Sequence, residues 1–171
     1  AALDNRRDEA RRLTAEALAD NPREAALWSF HAGLLEADGE LAQAEASYTR
    51  AIGLRRLNHG DRAARALARL ALDRRDEARQ HRVRRVACPY CDEARQDIDL
   101  LKQEAPNEYL THYAEGLLAL REGRYAEAQA ALETAERLND RYAPTQYQLG
   151  LAHLSEGHHA QAEQHLKRFL Q

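Results

Sequence analysis

From Tyr109 to Gln171 the chain repeats itself. Glu115-Gly116-Leu117, Arg121-Glu122-Gly123 and Ala126-Glu127-Ala128 return as Leu149-Gly150-Leu151, Ser155-Glu156-Gly157 and Ala160-Gln161-Ala162, each 34 residues further on. A fixed period of this size constrains the fold more tightly than any composition. It marks one helix–turn–helix unit used repeatedly, because a lone helix pair cannot bury its apolar face and a stack can.

Composition agrees with helices. Aromatic residues make up 6% of the chain, and its 8 glycines and 4 prolines are too few for an all-β fold with many tight turns. The 44% hydrophobic content counts many alanines, which predicts close helix-on-helix contact over small side chains. The pattern predicts helices over 5–20, 25–37, 41–54, 92–104, 109–121, 124–137, 143–155 and 159–170. Leu13, Ala17 and Leu18 form the inward face of the first helix, and Asp92 is the cap of the helix at 92–104. Between Gly60 and Pro89 there is neither Gly nor Pro, so one long helix over 61–87 is expected, with Asp73 as the place where it would break.

Trp28-x2-His31-Ala32-x2-Leu35 followed by Ala44-x3-Tyr48 resembles the tetratricopeptide repeat. So do His112-x2-Glu115-Gly116-x2-Ala119 with Ala128-x3-Leu132, and Gln146-x2-Leu149-Gly150-x2-His153 with Ala162-x3-Leu166. Small residues stand where two helix backbones approach, and the large residue four places on fills the space beside that contact. Ala10, Ala44, Ala94, Ala128 and Ala162 mark the second helix of successive units, and Pro22 and Pro106 follow their alanines at the family's spacing. His31 and Glu115 depart from the usual Leu, and Arg56 and Asp140 from the usual Pro. The resemblance implies an all-α, right-handed α-solenoid of tetratricopeptide helix–turn–helix repeats. It divides 1–171, as a single array, into the second helix of a partial repeat (1–24), a repeat (25–58), an insertion or helix extension (59–74), a divergent repeat (75–108) and two further repeats (109–142 and 143–171).

In that family the first helices of successive repeats line a concave groove. The resemblance therefore places there Ser29, Gly33 and Glu36; Arg79, Val83 and Val86; Tyr113, Leu117, Leu120 and Arg121; and Tyr147, Leu151, Leu154 and Ser155. Of these, Arg79, Tyr113, Leu117, Leu120, Arg121, Tyr147, Leu151 and Leu154, joined by Arg82, are the candidate partner-binding residues. Leucines and tyrosines at one spacing suit an extended peptide or an amphipathic helix of a protein partner. The competing reading makes Leu117 and Leu151 ordinary core. The basic side chains with which chaperone-binding members hold a C-terminal carboxylate are missing at the corresponding positions.

Two other features invite a functional reading. Nine arginines and four acidic residues fall between Asp61 and Arg85, in a chain of net charge −3. Arg62, Arg65 and Arg69, and again Arg75, Arg79 and Arg82, recur at helical spacing. Such a stripe can bind an anionic polymer, for example a polysaccharide, or it can be a solvated face paired with Asp73, Asp76 and Glu77. Nucleic acid is disfavoured because no aromatics are interleaved. Cys88-Pro89-Tyr90-Cys91 shares its letters with glutaredoxins, but no βαβ pattern surrounds it. Two cysteines supply half of a zinc site, with His81 a third ligand at best. Structural turn thiols or a local disulfide are the plainer reading, beside a thiol- or metal-dependent role. His153, His158, His159 and His165 cluster near the end, with His159 at a position the family fills with a packed Tyr.

No glycine-rich phosphate loop, G-x-S-x-G turn or paired carboxylates suggest catalysis, and no cofactor is implied. No run of 18 apolar residues could span a membrane. The Ala- and Arg-rich composition points to a bacterial gene. The absence of Met, the start in mid-repeat and the lack of a polar final helix read as a piece of a longer protein. The compartment stays open between bacterial cytoplasm and periplasm. The expectation is a non-catalytic scaffold for protein–protein interaction, in a larger bacterial assembly or secretion protein.

Overall fold

The computed structural model describes residues 2–55, 58–80 and 90–171, with side chains at 6–55, 58–73 and 90–171. The described residues form nine helices and no strand: α1 (Ala2–Asp20), α2 (Ala25–Ala37), α3 (Leu41–Leu54), α4 (His59–Gln80), α5 (Cys91–Glu104), α6 (Tyr109–Arg121), α7 (Tyr125–Leu138), α8 (Ala143–Ser155) and α9 (His159–Phe169). Two compact units divide within α5, Ala1–Asp97 and Ile98–Gln171.

In the first unit α1 packs on α2, α2 on α3 and α3 on α4. Ala32, Leu35, Ala44 and Tyr48 form a buried cluster against which Ala64 of α4 rests. In the second unit α6 packs on α7, α7 on α8 and α8 on α9, and α6 also touches α8. The alanines that set the sequence register are where close contact demands them: Ala44, Ala94, Ala128 and Ala162 are all at most 1% exposed.

The pairing of a small residue with a large one is visible atom by atom. A Cβ built on Gly116 would lie 2.6 Å from Leu132 Cγ, and one on Gly150 would lie 2.7 Å from Leu166 Cγ. These leucines fill the space that the missing side chain leaves, which is the close approach that glycine allows.

Each hairpin turn repeats one device. Gly39, Gly123 and Gly157 have φ of 75°, 74° and 78°, in the left-handed region that a Cβ disfavours. The N–H of each glycine returns to a helix carbonyl three residues back, that of Glu36, Leu120 or Leu154. The following N–H of Glu40, Arg124 or His158 reaches five back, to Leu35, Ala119 or His153, at 2.8, 2.9 and 2.9 Å. That pair of bonds is the Schellman motif, and it satisfies carbonyls a helix end would otherwise leave bare.

The opposite turn, from second helix to next first helix, uses side chains. Trp28 Nε1 donates to the Pro22 carbonyl at 2.9 Å, and His112 Nε2 donates to the Pro106 carbonyl at 2.8 Å. Both donors hold the repeat position of the family's Trp. In the last repeat that position is Gln146, and Asp140 stands where the proline would be. Gln146 turns instead to Glu136 at 2.7 Å and to His165 at 2.9 Å.

Some expectations need correction. Leu13 is 50% exposed and Thr14 is buried in its place, while Leu18 is buried as expected. The repeat register explains this, because Thr14 stands four residues after Ala10 as Tyr48 stands after Ala44. Asp92 is not the cap of α5: the helix already includes Cys91, and Asp92 lies exposed in its first turn. Helix α4 runs unbroken through Asp73 to Gln80; the expected continuation to residue 87 lies outside the described residues.

Candidate partner-binding surface

The first helices of the last two repeats, α6 and α8, present the candidate residues. Leu117, Leu120 and Arg121 on α6 are half-buried, as are Tyr147 and Leu151 on α8, while Leu154 is 42% exposed. A leucine in the core of a helix pair is covered on all sides, as Leu118 and Leu149 are. The four candidate leucines keep apolar surface in water, which is the condition for a docking face.

Tyr113 is different. It is 6% exposed and meets Tyr142 edge-on at a centroid distance of 5.0 Å; Tyr109 packs on the same Tyr142 at 5.1 Å. Edge-to-face rings at this spacing favour one another beyond their buried area, so the trio fixes the start of α8 against α6. Tyr113 thus stands beneath the surface rather than on it. Tyr147 rests against Phe169 of α9 at 5.4 Å, with ring surface to spare.

Around α2 the expected groove residues are already engaged. The Ser29 hydroxyl lies within hydrogen-bonding distance of Asp61, and Glu36 accepts from the Tyr48 hydroxyl at 2.8 Å. Burial beside the Glu36 carboxylate pushes the Tyr48 hydroxyl up, so it stays a donor. Burial likewise raises Asp61 above the usual carboxylate value, against the hydrogen bonds from Ser29 and Asn58 that lower it. Gly33 is open, with nothing within 4 Å of a Cβ built there.

The first half of the arginine stripe is structural. Arg65 grips Asp97 with two hydrogen bonds, at 2.9 and 2.6 Å, and Arg69 adds a third at 2.9 Å while also binding Glu45 at 2.7 Å. The Arg65 and Arg69 side chains are 14% and 13% exposed, and that of Asp97 is 3% exposed. Arg62 is buried as well. The partners shown for Arg65 and Arg69 are thus on α5 and α3; of the same-helix acids that spacing suggested, Asp76 and Glu77 have side chains outside the described residues. Sequence missed Asp97 and Glu45 because they are distant in the chain; their spacing carries no sign of where α4 will lie. The side chains of Arg75, Arg79 and Arg82, with Val83 and Val86, lie outside the described residues.

Cys91 is disulfide-bonded and buried, so it offers no thiolate to a substrate or metal. Cys88 and His81 lie outside the described residues. Among the described residues no three His, Cys, Asp or Glu side chains are grouped to hold a metal ion. Nor is any helix among them long and apolar enough to cross a membrane. His159, expected to pack, is exposed; the buried member of the histidine cluster is His153.

The family model of the tetratricopeptide repeat matches residues 110–142, which span α6, α7 and the turns about them. No curated protein matches the chain. Among solved structures, the tetratricopeptide-repeat protein TTC0263 of Thermus thermophilus is similar, with 22% identity, a TM-score of 0.79, and coverage of 99% of this chain and 84% of that one. PilF of Pseudomonas aeruginosa has 18% identity and a TM-score of 0.70, covering 99% of this chain and 70% of that one. MamA from Desulfovibrio magneticus has 15% identity and a TM-score of 0.69, over 96% and 84% of the two chains. At such identities the similarity speaks for the fold. Residues 110–142 are a tetratricopeptide repeat, and the chain has the all-α fold of tetratricopeptide-repeat proteins.

Proposed function

We propose that the chain is a non-catalytic scaffold that receives a peptide or short helix of a protein partner across α6 and α8. Tetratricopeptide-repeat proteins are in general interaction modules rather than enzymes, and the coarse reading follows from the fold; the docking face is our own reading of the residues. The observation that carries it is the set of incompletely covered leucines, Leu117, Leu120, Leu151 and Leu154, on two first helices that touch one another. Apolar rows flanked by Arg121 and Tyr147 suit an amphipathic helix or extended segment, with affinity supplied by a few buried anchors. Arg79 and Arg82 rest on their repeat positions alone, and the face proposed on α6 and α8 does not draw on them. The wider setting, a larger bacterial assembly or secretion protein, comes from family likeness.

The test is a peptide-display selection on the immobilised chain, followed by affinity measurement on variants. Leu120→Asp and Leu154→Asp should each weaken the selected peptides by about tenfold or more, the loss of one apolar anchor, with the helical circular dichroism unchanged. Peptides that bind wild type and both variants alike would remove this face from consideration.

A further inference from the structure

The histidines of the last hairpin form a device that the scaffold reading does not use. His153 of α8, 8% exposed, lies flat on His165 of α9, with ring centroids 5.3 Å apart and planes 13° from parallel. His158 leans on the same ring of His153 at 5.9 Å. The Nδ1 of His153 is buried with no hydrogen-bond partner.

The protons can be placed. Gln146 donates its amide to Glu136 Oε1 at 2.7 Å, so its carbonyl oxygen faces His165 Nδ1 at 2.9 Å and must accept. His165 therefore carries its hydrogen on Nδ1, and Nε2 is the atom that takes up a further proton. A proton there creates a charge in contact with a second buried imidazole. Stacked neutral imidazoles tolerate one another; a cation in the stack loses its solvation and repels a second.

The surrounding charges are divided. From α7, Glu136 and Glu133 favour a charged His165; from α8, His153 opposes it, as does Arg168 from its own helix. Arg168 also occupies Glu136, at 3.2 Å, which reduces the help that carboxylate can give. Within α9 Glu163 pairs with Lys167 and His159 is exposed, while His158, just before the helix, leans on His153 and lies 3.6 Å from Glu156.

We propose that the His153–His165 stack makes the α8–α9 hairpin acid-sensitive, ordered while His165 is neutral and loosened when it takes up a proton. Burial holds His165 below the ordinary imidazole value of 6.5. An unfolded hairpin then binds more protons than a folded one below that pH. The stabilisation is full above 6.5 and is lost as pH falls through the folded value. Phe169 rests on Tyr147, so a loosened α9 also bares that ring.

The test uses the full chain and reads two quantities. Imidazole signals followed by NMR should give His165 a midpoint below 6.5 that rises toward it in His153→Gln. Amide-exchange protection of α9, corrected for the intrinsic pH dependence of exchange, should fall relative to α6 between about pH 7.5 and about pH 5.5. In His165→Gln, whose amide can still donate to Gln146, that fall should vanish. A His165 midpoint at or above 6.5 would overturn the proposal, as would protonation that leaves α9 protection intact or an equal fall in the variant. Should a variant fail to fold, the wild-type titration and exchange decide alone.

Discussion

A methyl group added at Gly116 or Gly150 meets a leucine at 2.6 or 2.7 Å, whereas one added at Gly33 or Gly53 meets nothing within 4 Å. All four glycines lie inside helices, where exchange for alanine gains about 1 kcal/mol of propensity. At Gly33 and Gly53 that gain stands alone, so Gly33→Ala and Gly53→Ala should stabilise by about 0.5–1 kcal/mol. At Gly116 and Gly150 the leucine must move, and overpacking of this kind costs about 1–3 kcal/mol. Leu132, 0% exposed, has little room to do so; Leu166 is half-buried and yields more easily. Gly116→Ala should therefore be destabilising and Gly150→Ala closer to neutral. Urea unfolding of the four variants checks both signs, and a uniform gain would show that the small-against-large pairing does not confine these helices.

For the element, the informative case is α4. Its arginines looked in sequence like a surface stripe, and their fate depends on other helices. Asp97 accepts three hydrogen bonds from Arg65 and Arg69 while nearly excluded from solvent. Removing one partner of such a buried group leaves uncompensated charge, a loss of about 3–5 kcal/mol. Asp97→Ala should show a loss of that size in thermal or urea unfolding, and a change below about 1 kcal/mol, the range of exposed pairs, would mean that water reaches the site. The legibility of the chain divides on the same line. Helices α2, α3, α6 and α8 begin and end where periodicity, Asp-Gly and Glu-Gly turns and Asn-Pro breaks put them, because those signals are local. Leu13 deceived because a face set one residue earlier gathers Ala17 just as well; only alignment on Ala10 shows that Thr14 points inward. Tyr113 was legible as a large residue on a first helix. That Tyr142 would cover it was not, since Tyr142 belongs to the loop leading into another helix.

Across the molecule, the arrangement of charge separates two kinds of binding. Arg62 is buried and Arg65 and Arg69 are largely covered in the first unit, and the chain as a whole carries net −3. Polyanion affinity should therefore be indifferent to these arginines: Arg65→Ala and Arg69→Ala should lower the melting temperature without changing elution from an immobilised polyanion. Earlier elution at unchanged stability would restore them to the surface. One consequence of the Schellman turns reaches further. The bends at Gly39, Gly123 and Gly157 are closed by main-chain bonds, so the side chains beside each glycine do not decide its shape. Asp38 and Glu40 also hold Arg11 of α1, and His158 touches His153. At Gly123 the flanking charges are joined too, Arg124 to Glu122 and to Glu127 of α7, so rewriting a charge at any of the three bends unseats a side-chain pair while the main-chain turn itself persists.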